Sequence, residues 1–324
     1  MSDRLKVSIV LFFVLALIVG GFVWGLLTGT IDLSFSSFTN LTDIERDILF
    51  KIRLPRLLAA FIVGAALAVA GASFQGVLQN PLAGPYILGV SSGAGAGVVI
   101  ASVLLPIVSM ALLPLWAFLG AIFTVFIVFG FVRLARSNSI SHYILVGIMV
   151  NAFFSAVMML FLFFSGTKIH GIMIWLMGDF SSVQTNILLI AYLITVPVTF
   201  VLSMLGYQIS ILALGDDQAK SIGVKIDRLR TTVFFLASLL TGIAVSLAGI
   251  IGFVGLVVPH TLRLVLKDDF RVLLPLSFLL GGGFVVLTDT LSRAIMPDIG
   301  MPVGVVTSFV GAPFFLWLFV KQGR

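Results

Sequence analysis

Residues 231–266 read TTVFFLASLLTGIAVSLAGIIGFVGLVVPHTLRLVL, apolar almost throughout. As one helix the stretch would run about 54 Å at 1.5 Å per residue, far more than a bilayer core of roughly 30 Å. The glycines of Gly249-Ile250-Ile251-Gly252-Phe253-Val254-Gly255 predict a break into two shorter arms. That break decides between nine spans and ten, and so fixes the side on which later charges lie.

Outward from it, the arms become segments 231–249 and 251–266, and further apolar segments fall near 7–27, 56–78, 86–105, 110–132, 142–165, 186–206, 272–294 and 303–320. The chain of 324 residues is 60% hydrophobic and 10% charged, with a mean hydropathy of +1.22. Such a composition cannot supply the polar surface of a water-soluble protein. Backbone groups in hydrocarbon must be satisfied internally and the alternation of a membrane barrel is absent, so the spans are expected to be helices. Arg4 and Lys6 precede the first run, which is too long for a signal-peptide core and reads as a retained helix.

With ten spans and both termini inside, 13 Lys and Arg residues lie in the cytoplasm, against Arg46, Lys51, Arg53, Arg56, Lys168 and Arg293 outside. This is the positive-inside bias; nine spans would put Arg263, Lys267 and Arg271 on the wrong side. The expected fold is an all-α polytopic membrane protein of ten transmembrane helices, a single transmembrane domain over residues 1–324. Gly64, Ala66, Ala70, Gly71 and Pro81 recur 178 residues later as Gly242, Ala244, Ala248, Gly249 and Pro259. In this topology the repeat is inverted, a common transporter architecture, although small residues packed closely between helices account for the same pattern.

The chain has no Cys, which excludes disulfides and thiolate chemistry. None of its seven lysines follows a glycine, so the phosphate-binding loop of an ATPase is missing. His142, His170 and His260 lack metal spacing, and no nucleophile or base cluster suggests an enzyme. An ion-gradient carrier would need intramembrane carboxylates, of which Asp289 is the main candidate. Against this background seven charged residues crowd into 216–230: Asp216, Asp217, Lys220, Lys225, Asp227, Arg228 and Arg230.

The edge of the second span, Lys51-Ile52-Arg53-Leu54-Pro55-Arg56, suits a helix start with arginines reaching headgroups, or presenting charge to an acidic external partner. Arg293 follows Asp289 by four residues, the spacing of a helical ion pair. At the far edge Gln79-Asn80-Pro81-Leu82-Ala83-Gly84-Pro85 breaks the helix. Leu88-Gly89-Val90-Ser91-Ser92-Gly93-Ala94-Gly95-Ala96-Gly97 then opens the third span as a tightly packing helix rather than a phosphate cradle.

Arg53-Leu54-Pro55-Arg56, Val63-Gly64-Ala65-Ala66-Leu67-Ala68, Asn80-Pro81-Leu82-Ala83, Leu88–Ala94, Leu212-Ala213-Leu214-Gly215 with Ala219 and Gly223, Gly252–His260, Arg271–Pro275 and Pro302–Thr307 together resemble the FecCD-type permeases. These belong to type II ABC importers for ferric siderophores, haem and cobalamin. The resemblance runs in order from about residue 50 to the end of the chain.

It implies a permease subunit in a bacterial or archaeal cytoplasmic membrane, paired with a second copy. Two ATPase subunits would bind ATP and Mg beneath it, and an extracytoplasmic binding protein would deliver a metal chelate; this chain itself would bind no cofactor. Arg53, Arg56 and Arg293 match positions that meet the binding protein, with Asp289 orienting Arg293. The loop at about 207–230 matches the ATPase coupling loop, through Gly215, Asp216, Asp217, Ala219, Lys220 and Gly223. In it a carboxylate of Asp216 or Asp217 is expected to cap a short helix whose small face holds Ala219 and Gly223. Asn80, Pro81, Leu82, Ser139 and Ser141 match the cytoplasmic gate.

Overall fold

The structure, a computed structural model, describes residues 3–29, 42–105, 112–135, 139–181, 183–296 and 300–322. Among them every regular element is helical. Helix α1 covers Asp3–Leu27, α2 Asp43–Asp47, and a π-helical turn at Ile48–Arg53 leads into α3, Leu54–Val77. Then come α4 (Val90–Leu104), α5 (Leu113–Leu134), α6 (Ile140–Phe163), α7 (Ile169–Leu176), α8 (Thr185–Met204), α9 (Gly206–Ala213) and α10 (Asp216–Ser221). The last four are α11 (Ile226–Ala248), α12 (Val254–Leu266), α13 (Phe270–Ile295) and α14 (Val303–Gln322). Of the charges expected on the inner side, Arg136 and Arg324 lie outside the described residues.

Each predicted apolar segment meets one helix, in order. Among the described residues seven helices are long and apolar enough to cross a membrane; α4, α12 and the Val303–Trp317 part of α14 are shorter apolar stretches. The predicted break is real: α11 stops at Ala248 and α12 starts at Val254. Between them Gly249 (φ +68) and Phe253 (φ +65) take left-handed conformations that reverse the chain. The freed backbone is satisfied by neighbours. Ile250 N–H donates to Leu176 O at 3.3 Å, and Asp179 N–H to Ala248 O at 3.0 Å. The Tyr86 hydroxyl donates to Ile251 O at 2.7 Å and accepts from Ile251 N–H at 3.2 Å. Val303 and Gly304 N–H complete the knot on Gly178 O and Met177 O.

Helix α3 is the axis. Alanine and glycine fill its sequence, and 19 of its 24 residues are buried. Gly64 faces the carbonyl of Gly281 on α13, and Gly71 that of Gly255 on α12; an added Cβ would sit 2.2 Å and 2.0 Å from those oxygens. Close backbone contact of this kind is how helices gain packing energy where no water drives them together. Phe74, near the C-terminal end of α3, stacks on Phe234, near the N-terminal end of α11, with centroids 5.8 Å apart. Helix α1 lies along α13, Gly21 beside Leu287 and Gly25 beside Thr290. The small-residue run of α4 packs as expected, Gly93 and Gly97 against the backbone of Gly120 and Trp116. Helices α5, α6 and α8 turn large apolar side chains such as Phe126, Phe153 and Phe200 outward.

Three boundaries differ from the sequence reading. Pro55 sits in the first turn of α3, but the helix does not begin there. The π-helical turn carries it back to Asp43, Leu54 N–H reaching Leu49 O five residues away. The third span starts at Val90 rather than 86, because Gly89 at φ +74 turns the chain into it. Helices α7 and α9 are too short to stand out in a hydropathy pattern.

Gly71→Val and Gly64→Val are each expected to destabilise the fold by about 2–3 kcal/mol, since the carbonyls they meet are backbone and cannot swing away. Gly20→Ala, whose Cβ meets nothing within 4 Å, should be neutral. Thermal unfolding in detergent measures all three.

Candidate functional site

The three arginines at the N-terminal end of α3 come together, but their heads turn inward. The last carbonyls of a helix have no partner within it and carry the negative end of its dipole. Here α1's are met by Arg53, whose Nη1 donates to Leu26 O at 2.6 Å and Leu27 O at 3.1 Å. Arg293 Nη1 takes Thr28 O at 2.8 Å and Gly25 O at 3.3 Å. Arg56 grips Asp289 with Nε and Nη2, at 3.0 and 2.8 Å. Arg293 Nε adds a contact to the same carboxylate at 3.2 Å.

Asp289 is fully buried and serves both arginines at once, more than orienting Arg293 alone. Arg53 is 5% exposed, and the side chains of Arg56 and Arg293 keep 18% and 12%. The three guanidiniums are thus held by partners inside the chain, with the side chains of Arg56 and Arg293 still partly open at this end. A buried ion group needs its partners in place, and this one ties α1, α3 and α13 together.

At the other end of α3 the chain turns out through α9 and α10. Gly215, at φ +132, starts α10, and neither Asp216 nor Asp217 caps it. This corrects the capping expectation: the Asp216 carboxylate instead accepts from Arg230 Nη2 at 2.6 Å and Gln79 Nε2 at 2.8 Å. Burial pushes that carboxyl up, but Arg230, Gln79 and Lys220 outweigh it and hold its pKa below the usual range. Ala219 is fully buried against its own chain, so the expected small face is not offered to a partner. Gly223 is exposed at φ +84 with open space around it. Asp217 and Lys220 are exposed beside it. Leu214 and Ile222, large and 66% and 61% exposed, flank the charged turn. The sequence reading missed them, though two apolar residues in a charged island are a signal in themselves.

The two stretches expected to form the gate sit at the ends of helices that meet through aromatic rings. Phe234 of α11 touches both Phe74 of α3 and Tyr143 of α6, with centroids 5.8 and 4.6 Å away. Asn80, Pro81 and Leu82 form an exposed turn just beyond α3, in which Asn80 Oδ1 accepts from Leu82 N–H at 2.9 Å. Ser139 and Ser141 are exposed at the start of α6, Ser139 Oγ paired with His142 Nδ1.

Asp216's lowered pKa gives a pH test. Its pairing contributes stability that is present above the unfolded-state value and lost as pH falls through the folded one. Amide protection across residues 214–224, exchange measured against the intrinsic rate at each pH, should stay flat from pH 8 to 5 and fall only below about pH 4. In Asp216→Asn it should be low at neutral pH as well.

The family model described as the FecCD transport family matches residues 10–321. The hemin transport system permease protein of Yersinia pestis is 36% identical over 330 residues, covering 99% of this chain and 98% of that protein. The cobalamin import system permease protein of Halobacterium salinarum is 38% identical over 299 residues, 92% of this chain and 80% of that one. A solved structure described as a metal-chelate type ABC transporter in an inward-facing conformation superposes with a TM-score of 0.86 at 33% identity, over 97% of this chain and 99% of that one. Family model, relatives and solved structure agree over nearly the whole chain: the chain belongs to the FecCD transport family.

Proposed function

We propose that this ABC-importer permease carries a ferric siderophore across the cytoplasmic membrane, with haem or cobalamin the next candidates. The relatives named for hemin and cobalamin support a large metal chelate as cargo. In this reading the chain crosses the membrane ten times, with both termini and α10 in the cytoplasm, and works as a homodimer over two ATPase subunits. ATP and Mg are bound by those subunits, and a binding protein docks at the Arg53, Arg56 and Arg293 end.

The observation that carries the reading is α10. It is a charged helix flanked by exposed Leu214 and Ile222, on a chain with no phosphate-binding loop of its own. Exposed apolar residues beside charges fit a partner surface better than a solvated loop. ATP binding and hydrolysis in the partners would shift α10 and reorient the helices between outward- and inward-open states. What is required is a difference in their free energies in each nucleotide state. The ion-gradient alternative is disfavoured because Asp289, its candidate carboxylate, is committed to Arg56 and Arg293.

Reconstitution with the ATPase and binding protein tests this, with radiolabelled ferric siderophore, haem and cobalamin supplied in separate vesicles. ATP-dependent uptake of the siderophore is expected; uptake without the ATPase on a proton or sodium gradient would sink the importer assignment. Gly223→Trp should weaken association with the ATPase about tenfold or more while leaving binding-protein docking intact. Arg56→Gln should weaken binding-protein docking at least about fivefold and, because Arg56 holds the buried Asp289, also lower the unfolding temperature in detergent.

A further inference from the structure

Gln79 adjoins the gate turn and bonds the coupling helix, and its backbone is strained where it does so. It follows Leu78, the C-cap of α3, at φ +51, in the left-handed region. Asn80 N–H reaches back to Gln75 O at 3.1 Å, which makes Gln79 the reversing residue of a helix-ending Schellman turn. Glycine normally fills that place, because any side chain is penalised there.

What the glutamine adds is its amide. Nε2 donates to Leu212 O, near the end of α9, at 2.9 Å, and to Asp216 Oδ1, the first residue of α10, at 2.8 Å. Asp216 in turn holds Arg230, whose side chain is buried in α11. One amide therefore joins the ends of α3, α9 and α10, and through Asp216 the start of α11. Pro81, two residues on, disfavours helical backbone at Asn80, so the gate turn must leave α3 at Gln79.

We infer that Gln79 is a positioning residue that carries movement of α10 into the gate turn at Asn80-Pro81-Leu82. The inference rests on the importer reading above. A shift of α10 pulls on the Gln79 amide through Asp216 and Leu212. The same residue's backbone sets the direction in which Asn80 and Pro81 leave the helix. Strained backbone persists where the surroundings hold it in place, and here two side-chain hydrogen bonds contribute to the holding. Proximity alone does not demonstrate coupling, so the test measures coupling directly.

The test uses the full permease with its ATPase and binding protein in vesicles, and reads uptake of radiolabelled ferric siderophore per ATP hydrolysed. Gln79→Gly is the decisive variant: it accepts the left-handed backbone and removes both hydrogen bonds. Assembly and hydrolysis should stay within about twofold of wild type, while uptake per ATP falls about tenfold. Asp216→Ala should lower the ratio similarly, and the double variant should fall no further than either single one. An unchanged ratio in Gln79→Gly, or losses that multiply in the double variant, would overturn the inference. A wild-type complex that hydrolyses ATP without uptake counts against the importer reading itself, which keeps the two failures apart.

Discussion

Hydrocarbon offers a peptide group nothing to bond with, and the rest of this structure depends on how that want is met at one place. The chain must reverse between α11 and α12, and at residues 249–253 it has no helix to satisfy it. The end of α7 and the hydroxyl of Tyr86 supply missing partners, and the beginning of α14 fastens the same α7 turn through Met177 and Gly178. Glycine is required there because Trp175 O would lie 1.9 Å from any Cβ on Gly249. Without this junction, α12 would not descend beside α3 with Gly255 against Gly71.

Charge obeys the same economy at both ends of α3. Where the arginines gather, each guanidinium faces a carboxylate or the open carbonyls of α1, so the cluster works first as an internal fastener. Where α9 and α10 emerge, Arg230 and Gln79 are used up on Asp216, while Asp217, Lys220, Leu214 and Ile222 stay at the surface. The second end therefore offers a partner more than the first does. An acidic group arriving at the arginines meets side chains already held by Asp289, whereas a protein arriving at α10 meets exposed side chains and an exposed glycine.

The fold was legible because hydropathy, glycine breaks and charge asymmetry are properties of local sequence. The run from 231 to 266 split where its glycines predicted, and Gly64, Gly71, Gly93 and Gly97 became contact points. The candidate site was legible only in location. Sequence brought Arg53, Arg56 and Arg293 to one end and Asp216, Lys220 and Gly223 to the other, but not which way each side chain points. Asp289 lies 233 residues from Arg56, and no periodicity reports a pair at that separation. Asp216 read as a cap because a carboxylate before a short helix usually is one; Arg230, fourteen residues on, outbid the backbone. Gln79 passed unnoticed because a non-glycine residue at positive φ leaves no mark in composition.

The helix from Asp43 to Val77 is unbroken for 35 residues. At 1.5 Å per residue that is a rod of about 52 Å, well beyond a hydrocarbon core of roughly 30 Å. Its buried portion is clamped by backbone contact on two sides, so it has little freedom to flex between its ends. Pivoting about its middle, a tilt of about 5° would swing each tip by about 2 Å, in opposite directions. Such a lever gives the Asp43 end and the turn beyond Val77 a single mechanical coordinate, with Gly64 near the fulcrum.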